Sequence, residues 1–260
     1  MSLDFSYRPG PYADQIREVV HKRFRTETWA MEGSAGDRVL VDAHIPEHLE
    51  RIVVMGHGAD NSRKARYIEI SGKLFTRHRT AVVGMDAPFH GDRSDALAVR
   101  HPLGMQVDVL VRWVRDHRRL LDLIDSRWPE IPVGFAGFSM GGLFGVPLVA
   151  VDDRIRSVAI VIAGSTRISY PTRFGPLDTA TLEALEVTDP VVHAAEVRNR
   201  PVLLLNADED EMVPREAAVA LYDAFVGPKE LVFMSGTHME WTNAARWFRR
   251  LEGFFELTLV

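Results

Sequence analysis

The chain has 260 residues, 46% of them hydrophobic, which is enough for a substantial core and excludes disordered or fibrous architectures. Its 31 basic and 36 acidic side chains leave a net charge of −5, so no general field draws it to nucleic acid, and no such partner is expected. Cysteine is absent, which removes disulfides, thiolate metal sites and a sulfur nucleophile together.

Residues 12–24 carry Ile16, Val19, Val20 and Phe24 at helical spacing and predict a first helix. Two strand-like runs follow at 26–31 and 38–45, separated by a Gly33/Gly36 stretch that suits a hairpin turn. From there short apolar runs at 52–55, 80–85, 133–138, 157–162, 202–205 and 231–234 alternate with helix-length segments. Those segments are 63–75, 106–124, 142–151, 215–225 and 243–255. The runs are continuous in apolar character, as parallel strands buried on both faces must be. Strand–helix repetition of this kind predicts right-handed crossovers and a mostly parallel sheet of about eight strands flanked by helices, an α/β class. Residues 1–260 are expected to form one domain. No run reaches the roughly 18 apolar residues of a spanning helix, and the N-terminus has no basic-then-apolar leader, so a cytoplasmic protein with no membrane partner is expected.

One interval breaks the alternation. Almost forty residues separate the runs ending at Ile162 and beginning at Val202. Within them, 169–173 and 174–177 look irregular, and 182–187 forms a short amphipathic stretch. Insertions of this length are lids, binding loops or surface excursions, and 164–200 is the candidate lid.

The strongest chemical signal is Gly137-Phe138-Ser139-Met140-Gly141, between a strand-like run and a helix-like one. G-x-S-x-G in that context is a nucleophile elbow, whose glycines permit a turn too tight for a Cβ. A serine hydroxyl needs a base. Of ten histidines, His238 lies after the last strand-like run and before the last helix, on the same sheet edge as Ser139. An acid must then orient the imidazole. The run Asp208-Glu209-Asp210-Glu211 follows the penultimate strand; Asp210 is favoured and Asp208 is the alternative. It lacks the spaced ligands and central glycine of a calcium loop, and no metal is expected. The order Ser139, Asp210, His238 is that of α/β-hydrolases rather than of the serine proteases. The oxyanion hole needs two N–H donors, expected from Met140 and from Ala59 in the loop Gly56-His57-Gly58-Ala59. His57, beside two glycines, is expected to hold loop shape rather than act as a second base.

These motifs, with Met85-Asp86-Ala87-Pro88-Phe89-His90-Gly91-Asp92-Arg93, resemble the α/β-hydrolases of the dienelactone-hydrolase and prolyl-oligopeptidase-like branch. The 86–91 stretch and Leu185-Glu186-Val187-Thr188 are most similar to short-chain carboxylesterases of the YjfP type. The resemblance runs from about Val39 to the C-terminus. It implies the α/β-hydrolase fold with a small lid, a serine esterase using Ser139, Asp210 and His238, a small-molecule ester substrate, and no cofactor. Thioesterase, small-peptidase and non-catalytic ligand-binding readings remain alternatives. Peptidases of the prolyl-oligopeptidase type carry a propeller, for which 260 residues leave no room. His57, Phe89, His90 and Trp241 are possible pocket residues; Asp86 and His90 are expected chiefly to brace their loop. The chain departs from the pattern twice. Asn206-Ala207 replaces a His-Gly pair before the acid, and Pro147 sits inside the helix after the nucleophile, where it should kink or shift it.

Overall fold

A computed structural model describes residues 3–9, 13–93 and 106–260. Nine strands form one sheet. They are β1 (Asp14–Val20), β2 (Phe24–Glu32), β3 (Arg38–Pro46), β4 (Arg51–Gly56), β5 (Thr80–Met85), β6 (Val133–Phe138), β7 (Ile155–Val161), β8 (Val202–Ala207) and β9 (Lys229–Met234). Their order is β1-β2-β3-β5-β4-β6-β7-β8-β9. The first three strands and the β3–β5 pair are antiparallel. From β5 to β9 every neighbouring pair is parallel.

Seven α-helices accompany the sheet among the described residues. They are α1 (Arg66–Phe75), α2 (Gln106–Arg127), α3 (Met140–Val151), α4 (Thr166–Phe174), α5 (Thr179–Thr188), α6 (Arg215–Ala224) and α7 (Ala244–Thr258). Alternate residues of each central strand feed two separate cores. Ile52 and Val54 pack with Trp113 of α2, Phe144 of α3 and Leu221 of α6. Val53 and Met55 pack with Phe75 of α1 and with Trp247 and Phe255 of α7. Coverage on both faces explains why these strands read as unbroken apolar runs. The edge between the ends of β4, β6, β8 and β9 and the helices that follow them is where the functional loops gather.

Two expectations fail. No helix forms over the described part of 12–24; Asp14–Val20 is strand β1 and Phe24 opens β2, and the sheet expected to have about eight strands has nine. Helical spacing stabilises a helix only if the stripe meets a core, and here Ile16 is 47% and Val20 73% exposed. With no surface to cover, the backbone pairs with the free edge of β2, and the β-branched side chains suit that state.

The second failure lies in the insertion, where residues 169–173, expected to be irregular, sit inside α4 with Pro171 among them. The N-terminus of α4 is held from a distance by Asp189. Its carboxylate accepts the Arg167 N–H at 2.8 Å and the Ser165 hydroxyl at 2.7 Å, and it also accepts the Val191 N–H at 2.9 Å. An anion on the orphan N–H groups offsets the bond lost at proline. The amphipathic 182–187 stretch falls within α5, and the insertion lies against α2, α3 and α6, with Leu185, Ala194 and Val197 buried. Helix α3 runs through the buried Pro147.

Candidate active site

The turn from β6 into α3 creates the site. Ser139 stands between them at φ 51°, ψ −113°, a conformation that L-residues adopt only when their surroundings compel it. The Ser139 N–H donates to Val161 O at 2.9 Å, and Ser139 O accepts from Gly142 N at 2.8 Å and Leu143 N at 2.9 Å. A Cβ on Gly137 would overlap the Gly141 carbonyl, and one on Gly141 would overlap the Gly56 carbonyl. Both glycines are needed for strand, turn and helix to pass so closely.

His238, 5% exposed, reaches this serine across 99 residues of sequence, with Nε2 3.0 Å from Ser139 Oγ. Its Nδ1 lies 2.9 Å and 3.0 Å from the two oxygens of Asp210. An ionised carboxylate only accepts, so the ring proton sits on Nδ1 and the Nε2 lone pair faces the serine hydroxyl. Asp210 is itself held, one oxygen accepting Met212 N at 2.9 Å and Val213 N at 2.8 Å.

The other acids of the run have different partners. Asp208 accepts Gly236 N at 3.1 Å and Ser235 Oγ at 3.3 Å, pinning the loop that carries His238. Glu211 accepts the backbone N–H of His238 at 3.1 Å. Glu211 has no signal in the sequence beyond belonging to an acidic run. The buried Asn206, from the Asn206-Ala207 departure, lies within β8, upstream of this loop.

Met140, one of the two expected oxyanion donors, is the first residue of α3, where backbone N–H groups have no partner inside the helix. The loop after β4 approaches from the other side. A Cβ on Gly58 would stand 3.5 Å from the Ser139 Cβ. The Gly58 N–H donates to the Tyr67 hydroxyl at 2.8 Å, and Ala59 follows as the next residue of the loop. Tyr67 lies on α1, and nothing around it in the sequence points to the site.

The remaining candidates separate clearly. His57 is buried with both ring nitrogens engaged, Nδ1 toward Gly58 O at 2.8 Å and Nε2 accepting Ala87 N at 2.9 Å. Burial pushes its pKa down to about 4, so it is a neutral tie between two loops rather than a ring offered to a ligand. His90 Nδ1 pairs with Pro88 O at 2.8 Å. Phe89 lies half-buried at φ 63°, with the Arg112 guanidinium 5.4 Å over its ring. Trp241 stacks at 5.7 Å on Phe138, the residue before the serine, and at 4.9 Å on Trp247.

Asp86 is fully buried as a hub. It receives Arg63 N at 2.8 Å, the Arg63 guanidinium, and Asp92 N at 3.0 Å. Arg63 also pairs with Asp42 at 2.9 Å and Asp92 at 2.8 Å. Arg93 spans Asp37, Asp116 and the Asp86 carbonyl. The 86–93 loop is thus braced through Asp86, Asp92 and Arg93 against Arg63, Asp37 and Asp116 of other segments. Among the described residues no group of three or more His, Asp or Glu side chains converges as a metal site, and no helix is long and apolar enough to cross a membrane.

A family model described as serine aminopeptidase, S33, matches residues 47–178. No curated protein matches the chain. Among solved structures, the chain is similar to a cold-adapted esterase from an Arctic intertidal metagenomic library. The TM-score is 0.78 at 23% identity, over 94% of this chain and 98% of that one. It is also similar to an acetyl xylan esterase from Paenibacillus sp. R4, with TM-score 0.75 at 16% identity over 93% and 87% of the two chains. A third is Est1E from Butyrivibrio proteoclasticus, solved with ferulic acid, at TM-score 0.69 and 19% identity over 86% and 96%. The fold is that of the α/β-hydrolases.

Proposed function

Since the chain belongs to the serine aminopeptidase S33 family of α/β-hydrolases, we propose that it is a serine hydrolase cleaving small carboxylic esters through an acyl-enzyme. The observation that carries this reading is the hydrogen-bonded series from Asp210 through His238 to Ser139 at the turn between β6 and α3. His238 takes the Ser139 proton as the oxygen attacks the ester carbonyl. The Met140 and Ala59 N–H groups receive the developing oxyanion. The imidazolium, stabilised by Asp210, then gives its proton to the leaving alcohol. Water, deprotonated by the same histidine, releases the acid. Esterases among the structures of the same fold support ester as the substrate class. Helices α4 and α5, with Ile168, Phe174 and Leu182 partly exposed, are the lid of this reading and an apolar margin for an acyl group.

The test is turnover of a p-nitrophenyl ester series by the native protein and by Ser139→Ala. Loss of about 10⁴-fold or more is expected, and equal activity overturns the reading. The family's description favours a second reading, removal of an N-terminal amino acid from a peptide, by the same triad. Amino-acid p-nitroanilides turned over faster than esters, at matched concentration, would replace the first reading with this one.

A further inference from the structure

We propose that Tyr67 is a positioning residue for the oxyanion hole, its hydroxyl holding the Gly58 peptide so that the next N–H, that of Ala59, is presented to the substrate oxygen. The inference rests on the reading of Ser139 as nucleophile. Gly58 has no side chain to fix its backbone, and it stands against the nucleophile. A Cβ there would lie 3.5 Å from both Ser139 Cβ and Phe138 O, and 3.7 Å from Tyr67 Oη. Gly58 is held at both ends, its N–H donating to the Tyr67 hydroxyl at 2.8 Å and its carbonyl, which shares a peptide plane with the Ala59 N–H, lying 2.8 Å from His57 Nδ1; the Tyr67 bond fixes the peptide on the N-terminal side. That bond also commits the Gly58 N–H, which leaves the following residue to supply the loop's donor.

The phenol is in turn locked to the elements that carry the catalytic side chains. Its ring centroid is 4.4 Å from that of Phe138, directly before Ser139, and 6.1 Å from that of Trp241, three residues after His238. The acceptor therefore has a fixed position relative to both the nucleophile and the base. Burial pushes the Tyr67 pKa up to about 12, so the hydroxyl stays neutral throughout the range in which an ester hydrolase works. It acts as a hydrogen-bonding post and takes no part in proton transfer.

Tyr67→Phe keeps the ring and removes the post. An oxyanion donor acts mainly on the transition state, so its displacement appears in kcat rather than KM. An aliquot of each protein is labelled to completion with a fluorophosphonate, intact mass gives the fraction of competent sites, and the unlabelled remainder is kept for kinetics. Turnover of p-nitrophenyl acetate is then expressed per competent site. We expect kcat per site to fall about 10-fold or more, with KM held within about 2-fold. Unchanged kcat per site, or a loss confined to KM, overturns the proposal. If the native protein itself takes no label, the serine-hydrolase reading fails first; a labelled native protein with a fully active Tyr67→Phe sinks this inference alone. If Tyr67→Phe does not fold, residue-resolved amide exchange of the native protein decides. A protected Gly58 amide supports the proposal, and exchange at the rate of an open loop overturns it.

Discussion

At Ser139 the backbone and the hydroxyl are set by different parts of the chain. The elbow is written locally, with Gly137 and Gly141 flanking it within five residues, although the overlap that Gly141 avoids is with the Gly56 carbonyl of β4. The partners of the hydroxyl are distant, and so the histidine could be selected from the sequence only through its place after the last strand. For the acid, position was not enough, since Asp208 and Asp210 sit two residues apart on the same loop. The distances separate them, Asp210 reaching Nδ1 of His238 and Asp208 the Gly236 N–H. Asp210→Asn should therefore lower kcat by about 10⁴ while leaving the fold intact, because an amide stabilises the wrong tautomer. Asp208→Asn should cost about 1 kcal/mol of stability and leave kcat within a few-fold. Ester kinetics and denaturant titration of the pair check both. Comparable kcat losses in the two variants would reverse the assignment of the acid.

Elements were legible where one or two faces of the sheet dictate their pattern. Strands β4 to β8 are buried on both sides, and their composition states it. Helices α1, α2, α3, α6 and α7 were readable for the same reason, each placed between two such strands or after the last. β1 and α4 were not, because each depends on something outside its own segment, the open edge of β2 in one case and the Asp189 carboxylate in the other. Close packing between elements predicts opposite outcomes for two glycines. Gly141→Ala drives a methyl into the Gly56 carbonyl and should destabilise the protein by about 1–3 kcal/mol or more. Gly253, within α7, has open space around its would-be Cβ, and Gly253→Ala should stabilise by about 0.5–1 kcal/mol. Urea midpoints of the two variants decide, and a shift in the same direction for both would contradict the packing described.

At the scale of the whole molecule, two buried neutral histidines couple stability to pH. His57 is pushed down to about 4 by burial, and His117 to about 3 by burial against Trp113, whose ring centroid is 3.6 Å away and whose carbonyl accepts a hydrogen bond from its Nδ1–H. Unfolded, both rings return to the ordinary range near 6.5. Above that value both states are neutral and the full stability is present. As pH falls below it the unfolded chain takes up protons that the folded one refuses, so stability is lost down toward pH 4. Each histidine contributes a slope of up to about 1.4 kcal/mol per pH unit. Urea unfolding at pH 7.5, 6 and 5 should show a steady decline, and His117→Gln should flatten it by about one proton. A stability independent of pH over that interval would mean that the two rings are protonated in the folded state.

Read alone, the chain yields the mostly parallel sheet, the tight turn at Ser139 and the order in which Ser139, Asp210 and His238 follow their strands. All three follow from short-range constraints, namely burial on two faces, the room needed at a tight turn, and the loops that must follow strands. Only the tertiary structure decided which acid meets His238, what Glu211 and Tyr67 hold, why α4 is a helix and why β1 is a strand. Each of these depends on a hydrogen bond or a pairing edge supplied by another segment of the chain. Neither composition nor periodicity records such a partner, because the energy that selects it exists only once the segments have met.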